Sequence, residues 1–432
     1  MPELWRNWAG DQRCAPEAIE EPASEREVAA AIGRAAGAGR PVRVAGAGHS
    51  FSDIALTEGH LLRLRRMNRV LSADRASGLA EVEAGASINE LGPALAEHGL
   101  ALENQGDVDP QAVAGAIATA THGTGARFRN ISAQVAGLRL ITDGGEPVDC
   151  SEEEEPELFG AARVSLGALG VITRVTLRCA PLYTLRRLDS PEPLDETLER
   201  LDELVDGHER FELFVFPYTR TALTRVTEST TDPPEPMSAA AEWVQDVLLE
   251  NLALELFSRA GRALPRAIPS LNRTIARLLQ PSERVDRSYR IYANQRRVRF
   301  TEMEYAVPRA AGREALERVL AMIERRRLPI SFPIEFRFVA QDDAYLSPSN
   351  GRATAYIAVH VYRGMEHETY FRAVESIMRE YDGRPHWGKR HYRTAADLAP
   401  AYPDWDRFRQ ARERLDPHRR FRNDYVDRVL GP

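Results

Sequence analysis

The sequence predicts an α+β protein with two domains, on the evidence of its length and of two different patterns along it. The chain has 432 residues, more than one compact hydrophobic core usually organises. Short strand and helix patterns alternate as far as about residue 180. Beyond that point longer strand patterns are followed by helical ones, which is typical of an antiparallel sheet with helices covering one face.

The first half contains two helix starts and one hairpin. Ser24 with Glu27, and Ser87 with Glu90, have the spacing of capping boxes, so we expect a helix to begin after each serine. Residues 138–150 hold two strand-like runs separated by Asp-Gly-Gly. This arrangement indicates a β-hairpin.

The second half contains repeated strand and helix patterns. Strand patterns lie at residues 210–218, 299–307, 333–340 and 354–362, and helical patterns at 239–279, 312–327 and 366–381. The first helical stretch carries an apolar stripe formed by Val244, Val247, Leu248, Leu252 and Leu256. Such a stripe can contact a membrane or a partner, but burial in the core is the commoner outcome and the one we expect.

Composition and charge exclude several classes of protein. The formal net charge is -7 and the sequence pI about 5.9, whereas sequence-independent nucleic-acid binding needs a basic surface. No apolar run reaches the roughly 20 residues that span a bilayer, and we see no secretion signal. Cys14, Cys150 and Cys179 lack metal-ligand spacing. We therefore expect a cytoplasmic protein with reduced thiols and no nucleic-acid partner, membrane span or metal.

A glycine turn follows the strand-like residues Val42 and Val44. The segment Ala45-Gly46-Ala47-Gly48 leads to His49. Glycines in such a turn can adopt positive φ and leave successive backbone N–H groups unshielded, so that a phosphate can bind there. The alternative is a tight strand exit with a surface histidine.

A second motif favours the interpretation of the glycine turn as a phosphate-binding site. Residues 113–125, VAGAIATATHGTG, are small residues, hydroxyls and glycines with hardly a bulky side chain. Such a run packs poorly as a core element unless a flat object lies against it. A planar cofactor would be such an object.

Polar side chains mark two strand patterns in the second half. Strand alternation places Glu335 and Arg337 on one face, and His360 and Tyr362 share a face of the next pattern. If the strands are neighbours, these side chains converge on one polar surface. The alternative is a set of exposed charges on an edge strand, which need no functional purpose.

A last candidate lies near the C-terminus, at residues 384–391. It contains His386, Lys389 and His391 among aromatic residues and a glycine. It can be a catalytic loop or a basic linker. A metal site is not expected, because no carboxylate or cysteine lies at ligand spacing beside the histidines.

Five ordered motifs resemble one flavoprotein family. GAGHSFSD, QGDVDPQAVAGAIATATHGTG, SLGALGVITRVTL, EFRF and RPHWGKRHY resemble the aldonolactone oxidoreductases among the vanillyl-alcohol oxidase (PCMH-type) flavoproteins. L-gulono-1,4-lactone dehydrogenases and D-arabinono-1,4-lactone oxidases are the most similar groups, and alditol oxidases are more distant. The resemblance implies a two-part PCMH-type FAD-binding domain at residues 10–180 and 386–432, with a cap domain at 181–385.

The resemblance also implies where FAD lies. Its pyrophosphate would rest on the first glycine turn and its isoalloxazine ring at the domain interface. His49 occupies the position that bonds covalently to the flavin 8α-methyl in many relatives. The other implied FAD contacts are Val44, Ala45, Gly46, Ala47, Gly48, Ser50, Gly106, Ile117, Ala120, Thr121, His122, Gly123, Thr124, Ile172 and His386.

The substrate residues implied by the resemblance are Glu335, Arg337, His360 and Lys389. Glu335, Arg337 and Lys389 match polar residues that surround the substrate in alditol oxidases. This sequence departs from those enzymes at two positions, where Ala112 replaces a serine and Tyr362 a threonine. Both changes remove hydroxyls that would bind a linear polyol, so they favour a lactone.

We therefore expect oxidation of an aldono-1,4-lactone, of L-gulono or D-arabinono type, at its C2 hydroxyl. The hydride would pass to flavin N5 and the electrons to oxygen or another acceptor. We expect burial and Arg337 to lower the pKa of Lys389, so that this lysine accepts the hydroxyl proton. The alternative is a charged Lys389 that stabilises negative charge on the flavin, with Glu335 as the base. Competing functions are an alditol oxidase and a flavin- or carbohydrate-binding protein without turnover.

Overall fold

The computed structural model describes residues 3–238, 252–293 and 296–432. Its strands are β1 (Trp5–Arg6), β2 (Arg13–Cys14), β3 (Ala18–Glu20), β4 (Val42–Val44), β5 (His60–Leu62), β6 (Val70–Asp74), β7 (Leu79–Glu83), β8 (Leu100–Leu102), β9 (Val135–Ile141), β10 (Pro147–Ser151), β11 (Val171–Pro181), β12 (Thr184–Pro193), β13 (Arg210–Val215), β14 (Thr221–Thr230), β15 (Ser282–Arg287), β16 (Phe300–Pro308), β17 (Ile334–Val339), β18 (Thr354–Tyr362) and β19 (Arg384–Pro385). Its α-helices span Glu25–Gly37, Ile88–Glu97, Val113–Ala118, Pro156–Ala162, Leu194–Glu199, Leu201–Gly207, Ala253–Ala263, Ile268–Leu278, Ser288–Tyr292, Gly312–Arg326, Glu368–Arg379, Ala395–Leu398, Trp405–Leu415 and Asp424–Leu430.

The first part of the chain forms a small parallel sheet and a larger antiparallel one. The parallel sheet has the order β3-β5-β4, so the glycine turn leaves from its edge strand. The antiparallel sheet has the order β10-β9-β11-β7-β6, with β8 paired to β11. The predicted hairpin is confirmed as β9 and β10, and helices begin after Ser24 and Ser87 as the capping boxes indicate.

The second part forms one antiparallel sheet in the order β15-β12-β14-β13-β17-β18-β16-β19. One face of its central strands is apolar, with Met303, Phe336 and Ile357 fully buried. That face packs against helices Gly312–Arg326 and Glu368–Arg379. The predicted α+β class, with an antiparallel sheet covered by helices, is confirmed.

The last segment of the chain returns to the first part. Trp387, Phe408 and Tyr425 belong to the same buried cluster as Val28 and Leu62. This shared core supports a division at residues 10–180, 181–385 and 386–432, which stays a prediction.

The apolar stripe predicted to be buried is only partly described. Leu252 and Leu256 are 46% and 58% exposed, so the prediction is wrong for these two. Helix Ala253–Ala263 instead turns small residues inward, with Ser258 fully buried. Among the described residues, no helix combines the length and apolar character needed to cross a bilayer. The other stripe residues, Val244, Val247 and Leu248, lie outside the described residues.

Arg43 of β4 joins three distant parts of the chain. Its buried guanidinium donates hydrogen bonds to the carbonyl oxygens of Ile54 at 2.6 Å, Leu166 at 2.8 Å and Phe421 at 2.9 Å. Carbonyl groups buried without a donor are costly. Arg43 therefore fixes the C-terminal segment beside the glycine turn.

We expect Arg43→Met to lower the free energy of unfolding by about 2–4 kcal/mol, because it leaves buried carbonyls without donors. Urea denaturation followed by circular dichroism measures the change. Arg26→Met is the matched control, since Arg26 is exposed on the first helix. Equal midpoints for the two variants would contradict the role assigned to Arg43.

Candidate active site

A cavity of about 370 Å³ runs along the glycine turn after β4. β11 closes one side of it, and the small residues around Ala112 and Gly115 close another. Eight of the predicted FAD contacts line this single cavity: Val44, Ala45, Gly46, Ala47, Gly48, His49, Ser50 and Ile172.

The glycine turn presents a row of backbone amides without partners. The Ala45 N–H donates to the Leu62 carbonyl at 2.9 Å and the Phe51 N–H to the Gly388 carbonyl at 2.7 Å. Between these two residues lie the amides of residues 46–50, which donate no hydrogen bond within the described part of the chain. Gly48 has a φ of +73°, which a side chain would strain. Consecutive free amides of this kind form an anion-binding nest.

A second cavity, of about 60 Å³, continues from the first. The two share His49, Ser50, Gln111 and Thr119. All four predicted catalytic residues and four further predicted FAD contacts line the second cavity: Glu335, Arg337, His360, Lys389, Gly106, Thr121, His122 and His386.

The face of the large sheet opposite its apolar core supplies most of these polar side chains. In the β17–β18 pair, Glu335 lies opposite Ala358 and Arg337 opposite Tyr356. Side chains at paired positions point to the same face, which places both charges on the face that carries His360. Glu335 and Arg337 are each 7% exposed. The alternative of exposed edge charges is therefore wrong.

Tyr362 does not join this group. Its hydroxyl donates to Glu255 of helix Ala253–Ala263 at 2.8 Å, and its ring packs with Phe300 and Phe332. Strand alternation correctly puts Tyr362 on the same face as His360. Tyr362 nevertheless does not line the second cavity.

Sequence reasoning missed four charged residues that also line the second cavity: Asp107, Arg296, Glu302 and Glu304. A signal existed for the two glutamates, because they alternate with apolar residues in a strand pattern just as Glu335 and Arg337 do. No such pattern marks Asp107 or Arg296, which lie outside helices and strands.

Arg337 is held by three carboxylates. Its Nε lies 2.5 Å from Glu212 Oε2, and its Nη2 lies 3.1 Å from Glu335 Oε2 and 3.4 Å from Asp107 Oδ2. Burial disfavours the guanidinium, but these carboxylates outweigh it and the pKa of Arg337 rises. Arg296 pairs with both Asp107 and Glu335, so the orientation of Arg337 is set from several sides.

Lys389 is an ammonium held by Glu302. Its Nζ lies 2.5 Å from Glu302 Oε2. Burial lowers the pKa of Lys389, but Glu302 and Glu304 outweigh burial, and the pKa lies above its usual value. Burial likewise disfavours the Glu302 carboxylate, yet Lys389 and His360 hold its pKa at about 2. The prediction that Lys389 has a lowered pKa is wrong, because the sequence did not reveal its counter-ions.

His360 lies between two carboxylates. Its Nε2 is 3.5 Å from Glu302 Oε1 and 4.0 Å from Glu335 Oε1, and its Nδ1 lies 3.2 Å from the Pro333 carbonyl oxygen. Burial lowers the pKa of His360, but Glu302 and Glu335 outweigh burial and raise it. His360 therefore links the Lys389 pair to the Arg337 group.

His122, Glu304 and His386 form a third buried set whose ligand atoms lie within 4.8 Å of one another. His122 Nε2 lies 3.1 Å from Glu304 Oε1, whereas His386 Nδ1 accepts the Gly388 N–H at 3.0 Å. Burial, helped by Lys389, lowers the pKa of His386 to about 3, so this ring is neutral and carries its proton on Nε2. In this arrangement His122 is therefore hydrogen-bonded to Glu304, and His386 to the Gly388 amide.

His49 stands where the two cavities meet. Its ring stacks on Trp8, with centroids 5.2 Å apart. Burial and then the charges of Lys389 and Arg299 lower the pKa of His49 to about 4. Its imidazole is therefore neutral near pH 7.

Four predicted FAD contacts lie outside these two cavities. Ile117 and Ala120 are fully buried. Gly123 and Thr124 line a third cavity of about 30 Å³, and the Thr124 hydroxyl donates to the Phe211 carbonyl at 2.6 Å. Their contact with FAD stays a prediction.

Comparisons with known proteins agree with this arrangement. Residues 175–429 match the family model described as D-arabinono-1,4-lactone oxidase, and residues 16–151 match an FAD binding domain. The chain is 55% identical over 432 residues to L-gulono-1,4-lactone dehydrogenase of Mycobacterium tuberculosis, with 100% of both chains covered.

More distant similarities extend over the same length. The chain is 36% identical over 433 residues to L-gulonolactone oxidase of Bos taurus, covering 99% of this chain and 98% of the other. The solved structure of a solvent-stable cholesterol oxidase superposes with a TM-score of 0.84 at 17% identity, covering 100% of this chain and 98% of the other. That structure shows the fold alone. The resemblance found in the sequence is confirmed, and the chain belongs to the D-arabinono-1,4-lactone oxidase family of FAD-binding proteins.

Proposed function

We propose that this protein oxidises the C2 hydroxyl of an aldono-1,4-lactone of L-gulono or D-arabinono type, with FAD as hydride acceptor. The observation that carries this proposal is the junction at His49, where a buried cavity of paired charges opens onto the glycine-turn cavity. Relatives aligned over the whole chain are named for oxidation of such lactones.

The glycine-turn cavity fits FAD. The free amides of residues 46–50 suit the two negative charges of a pyrophosphate. The Thr121 hydroxyl is buried beside the second cavity and has no partner among the described residues, so it is available to a polar group of the cofactor or the substrate. Bound FAD supplies the hydride acceptor.

Arg337 and Glu335 are suited to orient the substrate. Arg337 is fixed by Glu212 and Asp107 as well as by Glu335, so its remaining donors point in set directions. Donors fixed in advance align the reacting C–H bond without losing conformational entropy on binding. Arg296 forms ion pairs with both Asp107 and Glu335, and so helps to hold the Arg337–Glu335 pair in place.

Lys389 stabilises negative charge instead of accepting a proton. As an ammonium it cannot act as a base, but it favours the partial alkoxide that forms as the hydroxyl proton leaves. The proton passes to a carboxylate. We assign this proton to Glu335, which lines the second cavity between Arg337 and His360. The substrate carbon then loses its hydride and C2 becomes a carbonyl.

We infer a lactone in preference to a linear sugar alcohol from positions 112 and 362. Ala112 supplies no hydroxyl at the wall of the first cavity, and the Tyr362 hydroxyl is bound to Glu255. Neither residue therefore hydrogen-bonds the extra hydroxyls of an open chain.

Anaerobic titration of the FAD-loaded protein tests the proposal. L-gulono-1,4-lactone or D-arabinono-1,4-lactone should bleach the flavin absorbance, whereas xylitol and sorbitol should not. Bleaching by the alditols alone would make the protein an alditol oxidase. A flavin that no lactone or alditol bleaches would indicate a binding protein. Recovery of the colour on admitting oxygen would identify oxygen as an acceptor. The electron acceptor and the cytoplasmic location stay predictions.

We expect Lys389→Met to slow flavin reduction by the lactone at least about 100-fold, because the preorganised positive charge is lost. Stopped-flow absorbance measures the rate. Lys389→Arg keeps the charge and should retain more of the rate than Lys389→Met. Reduction of the methionine variant at the wild-type rate would remove Lys389 from the mechanism.

We expect Glu302→Gln to move the alkaline fall in the flavin-reduction rate to lower pH. Glu302 helps to hold the pKa of Lys389 above its usual value; without this carboxylate, burial favours earlier loss of the proton as the pH rises. The pH dependence of the stopped-flow rate measures the shift.

Glu375→Gln is the control for that shift. Glu375, of helix Glu368–Arg379, is also buried and accepts a hydrogen bond from the Tyr305 hydroxyl at 2.5 Å. Tyr305 belongs to β16, like Glu302, but its side chain lies on the opposite face of the sheet. Removal of the Glu375 carboxylate should leave the alkaline limb in place. Identical limbs for both variants would contradict the role of Glu302.

We expect the flavin to be bonded covalently to His49, whose neutral imidazole can act as a nucleophile. Wild-type protein denatured in acid should keep its flavin, and His49→Ala should release it on the same treatment. Mass spectrometry of the denatured chain provides the measurement. Release of flavin from the wild-type chain would show that the cofactor is not bonded covalently.

A further inference from the structure

Two neighbouring helices, Ala253–Ala263 and Ile268–Leu278, and the link between them carry leucines that face solvent. Leu256, Leu264 and Leu278 are 58%, 65% and 66% exposed. No other large apolar side chain in the described part of the chain exceeds 46%. Exposed leucines grouped on consecutive helices indicate an interaction surface more strongly than scattered ones do.

The opposite sides of these helices are fixed to the molecule. Ser258, Ile268 and Asn272 are fully buried, and the Asn272 side-chain amide donates to the Pro217 and Ile330 carbonyls at 3.0 Å each. Among the described residues, the leucines therefore lie on the solvent-exposed side of two helices whose other side is buried.

The same two helices are strongly basic. Between residues 253 and 278 the sequence has a single acidic residue, Glu255, against five arginines: Arg259, Arg262, Arg266, Arg273 and Arg277. The chain as a whole has a net charge of -7. Positive charge is thus concentrated beside the exposed leucines.

Arginines on this surface also lack counter-ions. Within the described part of the chain, Arg266, Arg273 and Arg277 form no ion pair and no side-chain hydrogen bond, whereas Arg259 pairs with Glu255. Three further exposed arginines, at residues 325–327, likewise have no ion pair among the described residues. They lie shortly before Ile330, whose carbonyl accepts a hydrogen bond from Asn272. We name Leu256, Leu264, Leu278, Arg266, Arg273 and Arg277 the arginine–leucine surface.

We propose that the arginine–leucine surface docks the protein onto a bilayer that contains anionic phospholipid. Leucines can enter the boundary between headgroups and acyl chains while arginines meet lipid phosphates. The protein would lie on the membrane without spanning it. A two-fold contact with a second copy fits less well, because it would place unpaired arginines against the same arginines of the other chain.

The proposal does not depend on the reaction, and vesicle sedimentation tests it. The FAD-loaded protein should sediment with vesicles made of equal parts phosphatidylcholine and phosphatidylglycerol. It should stay in the supernatant with pure phosphatidylcholine vesicles, and be released from the anionic ones by high salt. Sedimentation with neither vesicle would overturn the proposal.

Two variants separate the contributions of charge and apolar contact. Arg277→Glu should lower the partition coefficient onto the anionic vesicles at least about fivefold. The double variant Leu256→Glu and Leu264→Glu should abolish sedimentation. Lactone oxidation in solution should be unchanged in both, because these side chains lie outside the cavities.

Matched controls are Arg26→Glu and Leu71→Glu, which change an exposed arginine and a leucine 37% exposed elsewhere on the molecule. Both should bind the anionic vesicles like the wild type, and thermal melting should show that every variant is folded. Equal loss of binding in the controls would overturn the proposal. A wild-type dimer in sedimentation velocity that the leucine variant splits, with no vesicle binding, would assign the surface to a second copy.

Discussion

Burial of opposite charges on one face of the large sheet is the constraint on which the rest of the site depends. Glu302, Glu335, Arg337 and Lys389 lie inside the protein, where an unpaired charge costs several kcal/mol. Each is therefore tolerated only because a counter-ion lies within hydrogen-bonding distance. The Glu302 carboxylate raises the pKa of Lys389, so this lysine stays an ammonium.

The partners in these pairs come from different parts of the chain. Asp107 and His122 belong to the first part, Glu302 and Glu304 to β16, and Lys389 to the last segment of the chain. The cavity is complete only when all of these segments have docked. Arg43 supports that docking by binding the Ile54 carbonyl of the first part and the Phe421 carbonyl of the last segment.

The two cavities differ in the groups that line them. The glycine turn offers free backbone amides, and its shape depends on the positive φ of Gly48 more than on particular side chains. The second cavity is lined by charged side chains, and sheet register sets the face on which Glu302, Glu335 and Arg337 lie. His49 lies at the junction and is neutral because burial and nearby cations disfavour its protonation.

The sequence by itself determined the α+β class, the capped helices, the glycine turn and the alternation within each strand that puts Glu335 and Arg337 on one face, because these follow from local patterns of 2 and 3.6 residues. Only the tertiary structure decided the charge of Lys389, the direction of the Tyr362 hydroxyl and the exposure of Leu256. Each of these depends on contacts with residues far away in the chain. A strand pattern shows that Glu302 faces a given side, but the ammonium it holds lies 87 residues further on, beyond the reach of any local pattern.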